Sequence, residues 1–363
     1  MSATTLQETL NQSSLPDGRN FTDALLHWNR NYNTRSMPWK GEKNPYKIWL
    51  SEIILQQTRV EQGLKYYEKF TSSFPDIGAL AASPPEKVFK LWEGLGYYSR
   101  CRNLIHTAKY IVEHFNGQFP DTYHSIHELK GVGSYTAAAI ASFAYNLPHA
   151  VLDGNVYRVL SRIFNIDTPI DSAQGKKQFA ALAHDLLPPE HAGEYNQAIM
   201  DFGAVVCKPA PGCSACFYQL NCQAFLNGRQ DLLPVKEKKI GRRRRWFYYY
   251  ATKCNDSILI RQRHGKDIWQ QLFEVPLIES TDALSGHKQL QMYQDQYGFS
   301  QFEVIQHVEK EQKLTHQHIN FDLYHIEVKK KRSIPGFEWI PLSNLDQFAF
   351  PKTLQGFLSQ LRK

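Results

Sequence analysis

Four cysteines set the tightest constraint on this chain. Cys207, Cys213, Cys216 and Cys222 fall within sixteen residues, spaced Cys-x5-Cys-x2-Cys-x5-Cys, with Pro209, Pro211 and Gly212 forcing tight turns between them. A disulfide framework spreads its bridges through a fold, whereas four thiols in one short loop converge on a single point. Such a loop takes a tetrahedral metal ion or an iron–sulfur cluster, and the spacing alone does not separate zinc from a cubane cluster. The other two cysteines, Cys101 and Cys254, read as buried structural thiols.

Two different periodicities flank this loop. From Phe21 to about Leu226 apolar residues recur at helical steps, as in Phe21, Leu25, Trp28 and Tyr32, and no strand pattern precedes residue 240. Asn44-Pro45 reads as a cap with proline in the first turn, opening a helix expected to run to about Gln62. Later, Trp246–Ala251, Ser257–Arg261 and Ile319–Val328 are short β-branched or aromatic runs, and Leu354, Phe357, Leu358 and Leu361 form a helical stripe. Between the two regimes, Lys236, Lys238, Lys239 and Arg242 to Arg245 read as an exposed basic linker over residues 229–245. The fold class expected is therefore an all-α domain over 21–228 followed by a smaller α+β domain over 246–363.

Length and composition agree with that division. At ~150 residues per domain, 363 residues hold about two domains. A chain 42% hydrophobic and 21% charged is neither disordered, collagenous nor a coiled coil. No apolar run reaches the ~20 residues of a membrane span, so no membrane partner is expected. Met1 to Asn20 carries no basic-then-apolar export signal and is expected to be a flexible tail on a protein retained inside the cell. The net charge of +7 permits a polyanionic partner without demanding one.

Three further segments carry chemistry. In Leu129-Lys130-Gly131-Val132-Gly133-Ser134-Tyr135-Thr136 a helix of about Asp121–Leu129 meets a Gly-x-Gly turn, with Ser134 expected to cap the next helix. Gly131 and Gly133 let backbone N–H groups and a helix N-terminus approach an anion such as a DNA phosphate; a plain helix–turn–helix connection has the same pattern. In Leu152-Asp153-Gly154-Asn155, Asp153 reads as a helix cap, or as a carboxylate kept ionised by the helix dipole and backbone donors to stabilise a cation. Glu52 follows Ile48 by four residues and Trp49 by three, in a helix apolar nearly all round. A glutamate buried there pairs with a cation, Arg59 being the candidate, or has its pKa raised and serves as a general acid. Gln56, Gln57 and Thr58 add polar groups at the same end.

The hairpin, Asp153 and the four-cysteine loop together resemble the endonuclease III superfamily of helix-hairpin-helix base-excision glycosylases. Ser51-Glu52-Ile53-Ile54-Leu55-Gln56-Gln57-Thr58-Arg59 and Gly94-Leu95-Gly96-Tyr97-Tyr98-Ser99-Arg100 resemble its adenine glycosylases of the MutY type. Trp269-Gln270-Gln271-Leu272-Phe273-Glu274 is similar to the entry of a Nudix fold, without the glutamate-rich box that binds metal. The resemblance implies a 4Fe–4S cluster on the four cysteines, with five residues between the first two where the family usually has six. It implies double-stranded DNA carrying adenine opposite 8-oxoguanine or guanine as partner, a monomer, and a cytoplasmic, nucleoid-associated enzyme (nuclear or mitochondrial in a eukaryote).

By the same resemblance, Glu52 is the acid and Asp153 the cation stabiliser, with Tyr135 and Asn155 in support. Arg35, Trp39, Leu55, Thr58 and Gln197 bind the base, while Gln57 and Tyr97 enter the gap it leaves; a core tyrosine is the plainer reading of Tyr97. Thr315 and His316 would read the opposite base, or simply lie in a solvated loop. Tyr135 stands where lyase members carry a Schiff-base lysine, which favours a monofunctional enzyme. A bifunctional lyase using Lys130 and a non-catalytic lesion binder are the alternatives, and a Nudix phosphohydrolase is weaker because the tail lacks clustered glutamates.

Overall fold

The computed structural model describes residues 18–237 and 241–362. Contacts divide them into two units: the described parts of 1–81 with 106–238, and the described parts of 82–105 with 239–363. Residues 82–105 thus belong with the C-terminal sheet. Within that unit Lys90 donates to the Phe348 carbonyl at 3.0 Å, the Phe350 N–H donates to Glu93 at 2.8 Å, and Arg102 donates to the Gln270 carbonyl at 2.9 Å. Residues 1–17, and with them most of the expected flexible tail, lie outside the described residues, as do Lys238 and Lys239 of the linker.

The first unit is helical. Phe21, Leu25 and Trp28 line the inner face of the Gly18–Asn31 helix, while Tyr32 lies just beyond its end and is exposed. Asn44 accepts from the Tyr46 and Lys47 N–H groups at 3.0 and 3.3 Å and starts the helix Pro45–Leu55. That helix stops at Leu55 rather than running to Gln62. Gln57 adopts a left-handed conformation (φ 56°), Arg59 occupies the cap position of a second helix, Val60–Ser73, and the residues between them form a turn. Apolar spacing continues across the break through Val60, Leu64 and Tyr67, so the pattern conceals it. The hairpin joins Tyr123–His127, capped by Thr122, to Ser134–Tyr145. Gly133, not Ser134, is the cap residue there, and it makes no side-chain bond. Gly154–Ile163 and Ala192–Val205 complete the surroundings of the site, crossing closely at Gly203, where a Cβ would lie 2.7 Å from Asn155 Cβ.

The C-terminal part of the second unit is a seven-stranded mixed sheet: β1 Arg243–Cys254, β2 Ser257–Gln262, β3 Phe273–Glu274, β4 Leu277–Ser280, β5 Glu303–Lys313, β6 Gln317–Glu327 and β7 Glu338–Pro341. The order is β3-β2-β1-β6-β5, with β4 paired to β1 and β7 to β2. β1 and β6 run parallel with Phe247 opposite Phe321 and Tyr249 opposite Leu323, and this apolar face is covered by Lys352–Leu358 through Leu354, Phe357 and Leu358. Helix Gly286–Tyr297 covers the other face. Arg243–Arg245, read above as exposed linker, open β1. Arg245 is buried because Asp267 and Glu279 neutralise it at 2.6 and 2.5 Å. Among the described residues, no helix is long and apolar enough to cross a membrane.

Candidate active site

A cavity of about 450 Å³ opens in the helical unit, and ten of the expected site residues line it: Glu52, Tyr135, Asp153, Asn155, Arg35, Trp39, Leu55, Gln57, Thr58 and Gln197. They run from Arg35 to Gln197 in the sequence, so tertiary packing alone assembles them. Ile48, Trp49, Leu50, Ile53 and Ile54 are all buried around Glu52, which is itself 9% exposed. Burial pushes the Glu52 carboxyl up to about 7, against a hydrogen bond from Tyr135 and with added repulsion from Asp153. Glu52 makes no ion pair with Arg59, which is exposed at the start of the next helix. Burial likewise raises the Tyr135 phenol well above its usual range, keeping it protonated; its one hydroxyl proton lies between Glu52 and Met200 Sδ, the latter 3.5 Å away.

Asp153 caps its helix as expected. Oδ1 accepts from the Val156 N–H and Oδ2 from Asn155 Nδ2, both at 2.7 Å. Burial raises its pKa, and the donors expected at the helix end offset part of that rise. The two carboxyls still differ in kind. Asp153 accepts from several donors, whereas Glu52 has the single phenol and the repulsion of Asp153, so of the two Glu52 holds its proton to higher pH. Asn155 Oδ1 accepts from Arg158 Nη2 at 2.8 Å, and Arg158 Nε donates to the Cys207 carbonyl at 2.8 Å, a continuous chain from Asp153 to the cysteine loop.

Cys207, Cys213, Cys216 and Cys222 carry free thiols that line one small recess with Arg162, Phe202 and Phe225. Burial raises the thiols of Cys213, Cys216 and Cys222, with mutual repulsion adding to it; Cys216 reaches about 12. Buried Arg162 donates to Cys207 Sγ at 3.5 Å and to the Lys208 and Pro209 carbonyls at 2.6 and 2.9 Å, holding the loop from one side. Converging thiols beside a fixed cation fit a thiolate-bound metal or cluster.

Tyr97, Thr315 and His316 do not line the cavity; they meet in a groove of about 560 Å³ in the second unit. Tyr97, in the left-handed region (φ 47°) and 42% exposed, shares a 2.6 Å hydrogen bond with the Thr315 hydroxyl. Thr315 and His316 form the tight turn between β5 and β6, closed by the Leu314 N–H donating to the Gln317 carbonyl at 2.7 Å. In the hairpin, Gly131 is left-handed (φ 84°). A Cβ on Gly133 would meet nothing within 4 Å, so only a group approaching from outside would require glycine there.

Residues 50–189 match the HhH-GPD superfamily of base excision DNA repair proteins, and 247–360 match a NUDIX domain. An adenine DNA glycosylase of Buchnera aphidicola subsp. Baizongia pistaciae is 38% identical over 270 residues, covering 73% of this chain and 76% of that protein. The chain belongs to the adenine DNA glycosylase family. Another member, from Buchnera aphidicola subsp. Schizaphis graminum, is 30% identical over 93% of this chain and 97% of its own length; the Homo sapiens member is 39% identical over 59% of this chain and 41% of its own. The fold also matches a thermostable thymine-DNA glycosylase (TM-score 0.52, 24% identity, 62% of this chain and 98% of that one) and endonuclease III in a non-covalent DNA complex (TM-score 0.51, 18% identity, 59% and 99%).

Behind the site of this adenine DNA glycosylase family member lies a buried carboxylate that the sequence reading passed over. Asp201, between Met200 and Phe202, is fully buried and receives Asn33, Arg35, Lys40 and Gln197. The signal available there was weaker than at Glu52: an acid between apolar Met200 and Phe202, in a helix that also carries Glu194, Asn196 and Gln197.

Proposed function

We propose that this family member removes adenine from duplex DNA where it lies opposite 8-oxoguanine or guanine, by hydrolysis and without strand cleavage. An adenine within the stack is out of reach, so it must be flipped into the cavity. Glu52, kept protonated by burial, gives its proton to N7 of adenine. The C1′–N9 bond then breaks, its electron pair leaves with the neutral base, and the sugar is left as an oxocarbenium ion. Asp153 stabilises that cation, water adds at C1′, and its released proton returns to the Glu52 carboxylate. Tyr135 holds Glu52, and Asn155 holds Asp153. The observation that carries the reading is the pair of carboxyls in one cavity with unlike donor sets.

Other features support the remaining parts. Among the described residues no lysine lines the cavity, and Lys130 is exposed on the hairpin, which favours the monofunctional reaction over a Schiff-base lyase. Exposed Gln57 at the cavity mouth and exposed Tyr97 on its glycine turn suit insertion into the gap, and the hairpin glycines suit a phosphate. The polar Thr315–His316 turn suits inspection of the opposite base. Cys207, Cys213, Cys216 and Cys222 would hold the 4Fe–4S cluster, which supplies a fixed cross-link rather than an open coordination site. Base release from an adenine:8-oxoguanine duplex, with and without alkali, tests the proposal. Strand breaks should need alkali; breaks without it would identify a lyase, and no released adenine would leave only a lesion binder.

A further inference from the structure

Asp201 lies behind the cavity wall on helix Ala192–Val205, with none of its side chain exposed, and does not itself line the cavity. Its carboxylate accepts from Arg35 Nη1 at 2.6 Å, Lys40 Nζ at 2.9 Å, Asn33 Nδ2 at 2.9 Å and Gln197 Nε2 at 3.0 Å. The first three come from the irregular segment between helices Gly18–Asn31 and Pro45–Leu55, which also carries Trp39 in the cavity wall. Lys40 donates in addition to the Arg35 carbonyl at 2.9 Å, and Asn33 Oδ1 accepts the Arg35 N–H at 3.1 Å. This loop has no ladder of its own, so one buried charge holds it to the helix. Burying a carboxylate is costly unless donors surround it, and here four do so.

We propose that Asp201 is a positioning residue that fixes the donor–acceptor sense of the base pocket, acting through Gln197 and Arg35. The proposal rests on reading the cavity as the adenine pocket. A carboxylate only accepts, so Gln197 must turn its Nε2 toward Asp201, which leaves Oε1 as the amide atom for the cavity. Adenine presents an amino donor at C6, which Oε1 accepts. Hypoxanthine and guanine present a carbonyl there, whose lone pairs Oε1 repels. Arg35, pinned by the same carboxylate, is likewise held to one orientation. Asp201 thereby converts a rotatable amide into a fixed acceptor, and the pocket selects a 6-amino over a 6-oxo purine.

Asp201→Asn preserves shape but offers one donor and one acceptor, so the Gln197 amide is free to take either orientation. Single-turnover base release would be measured on two duplexes that differ only in adenine or hypoxanthine at the target position. The adenine-to-hypoxanthine rate ratio should fall about tenfold, the scale of one lost hydrogen bond. Gln197→Leu should lower it similarly, and the double variant no further, because both act through one amide. A purely structural role would lower both rates by a common factor and leave the ratio intact. An unchanged ratio in folded Asp201→Asn overturns the proposal. If that variant does not fold, as read by circular dichroism, undiminished discrimination by Gln197→Leu overturns it instead. Wild-type protein that releases no adenine would fail at the earlier step, the pocket reading itself, and remove both.

Discussion

Glu52→Gln is expected to make the protein more stable at alkaline pH. In the folded chain the Glu52 carboxyl is raised from 4.5 to about 7 by burial. Because the folded state holds a proton that the unfolded chain has released, its stability is greatest below about 4.5, declines as pH rises toward about 7, and stays reduced above. The difference, about 2.5 units at 1.36 kcal/mol each, amounts to roughly 3 kcal/mol. Glutamine is neutral throughout and its amide oxygen still accepts from Tyr135, so the variant lacks this slope. Thermal unfolding of wild type and variant at pH 5 and pH 8 reads the effect; contributions from carboxyls that do not interact with Glu52 cancel in the comparison, Asp153 being the exception. The variant's advantage should be several degrees larger at pH 8 than at pH 5. An advantage that does not grow with pH, or a variant less stable at pH 8, would refute the claim that Glu52 is buried without a cation.

Three other outcomes follow from the site. Asp153→Asn keeps an oxygen for the Val156 N–H and hence the helix cap, but loses the acceptor for Asn155 Nδ2 and leaves the sugar cation uncompensated; release measured under single turnover should fall at least ~100-fold. Purified protein should be brown, with about four irons and four sulfides per chain by elemental and sulfide analysis, whereas one colourless zinc would mean the short Cys207–Cys213 spacing selects another metal. Thr315 and His316 both changed to Ala should reduce the preference for 8-oxoguanine over guanine opposite adenine and leave Glu52-dependent release in place; an unchanged ratio of single-turnover rates on the two duplexes would exclude the β5–β6 turn as lesion reader.

What could be read from the residues and what could not divide along physical lines. Most local signals held, Ser134 excepted: Asn44-Pro45 and Asp153 cap helices, the Glu52 helix is buried because it is apolar on every side, and alternation in Ile319–Leu323 marks a strand. Signals that tertiary packing overrides did not. The break at Gln57 has no glycine to announce it, and apolar spacing runs through it. β5 is an edge strand, exposed along most of its length and bonded on one side only, by β6, so its charged sequence shows no alternation. Arg245 resembles its basic neighbours until Asp267 and Glu279 arrive from elsewhere in the fold. The pKa of Asp153 depends on burial, which a capping motif does not encode.

The central claim is that buried Glu52 delivers the proton that releases adenine. Single-turnover adenine release as a function of pH, for wild type and Glu52→Gln on the same 8-oxoguanine duplex, tests it most directly. Wild type should lose about tenfold in rate per pH unit above an inflection near 7, and the variant should be slower by ~100- to 10,000-fold while still binding the duplex. A variant that turns over at a substantial fraction of the wild-type rate, or a wild-type profile that stays flat from pH 6 to about 9, would contradict it.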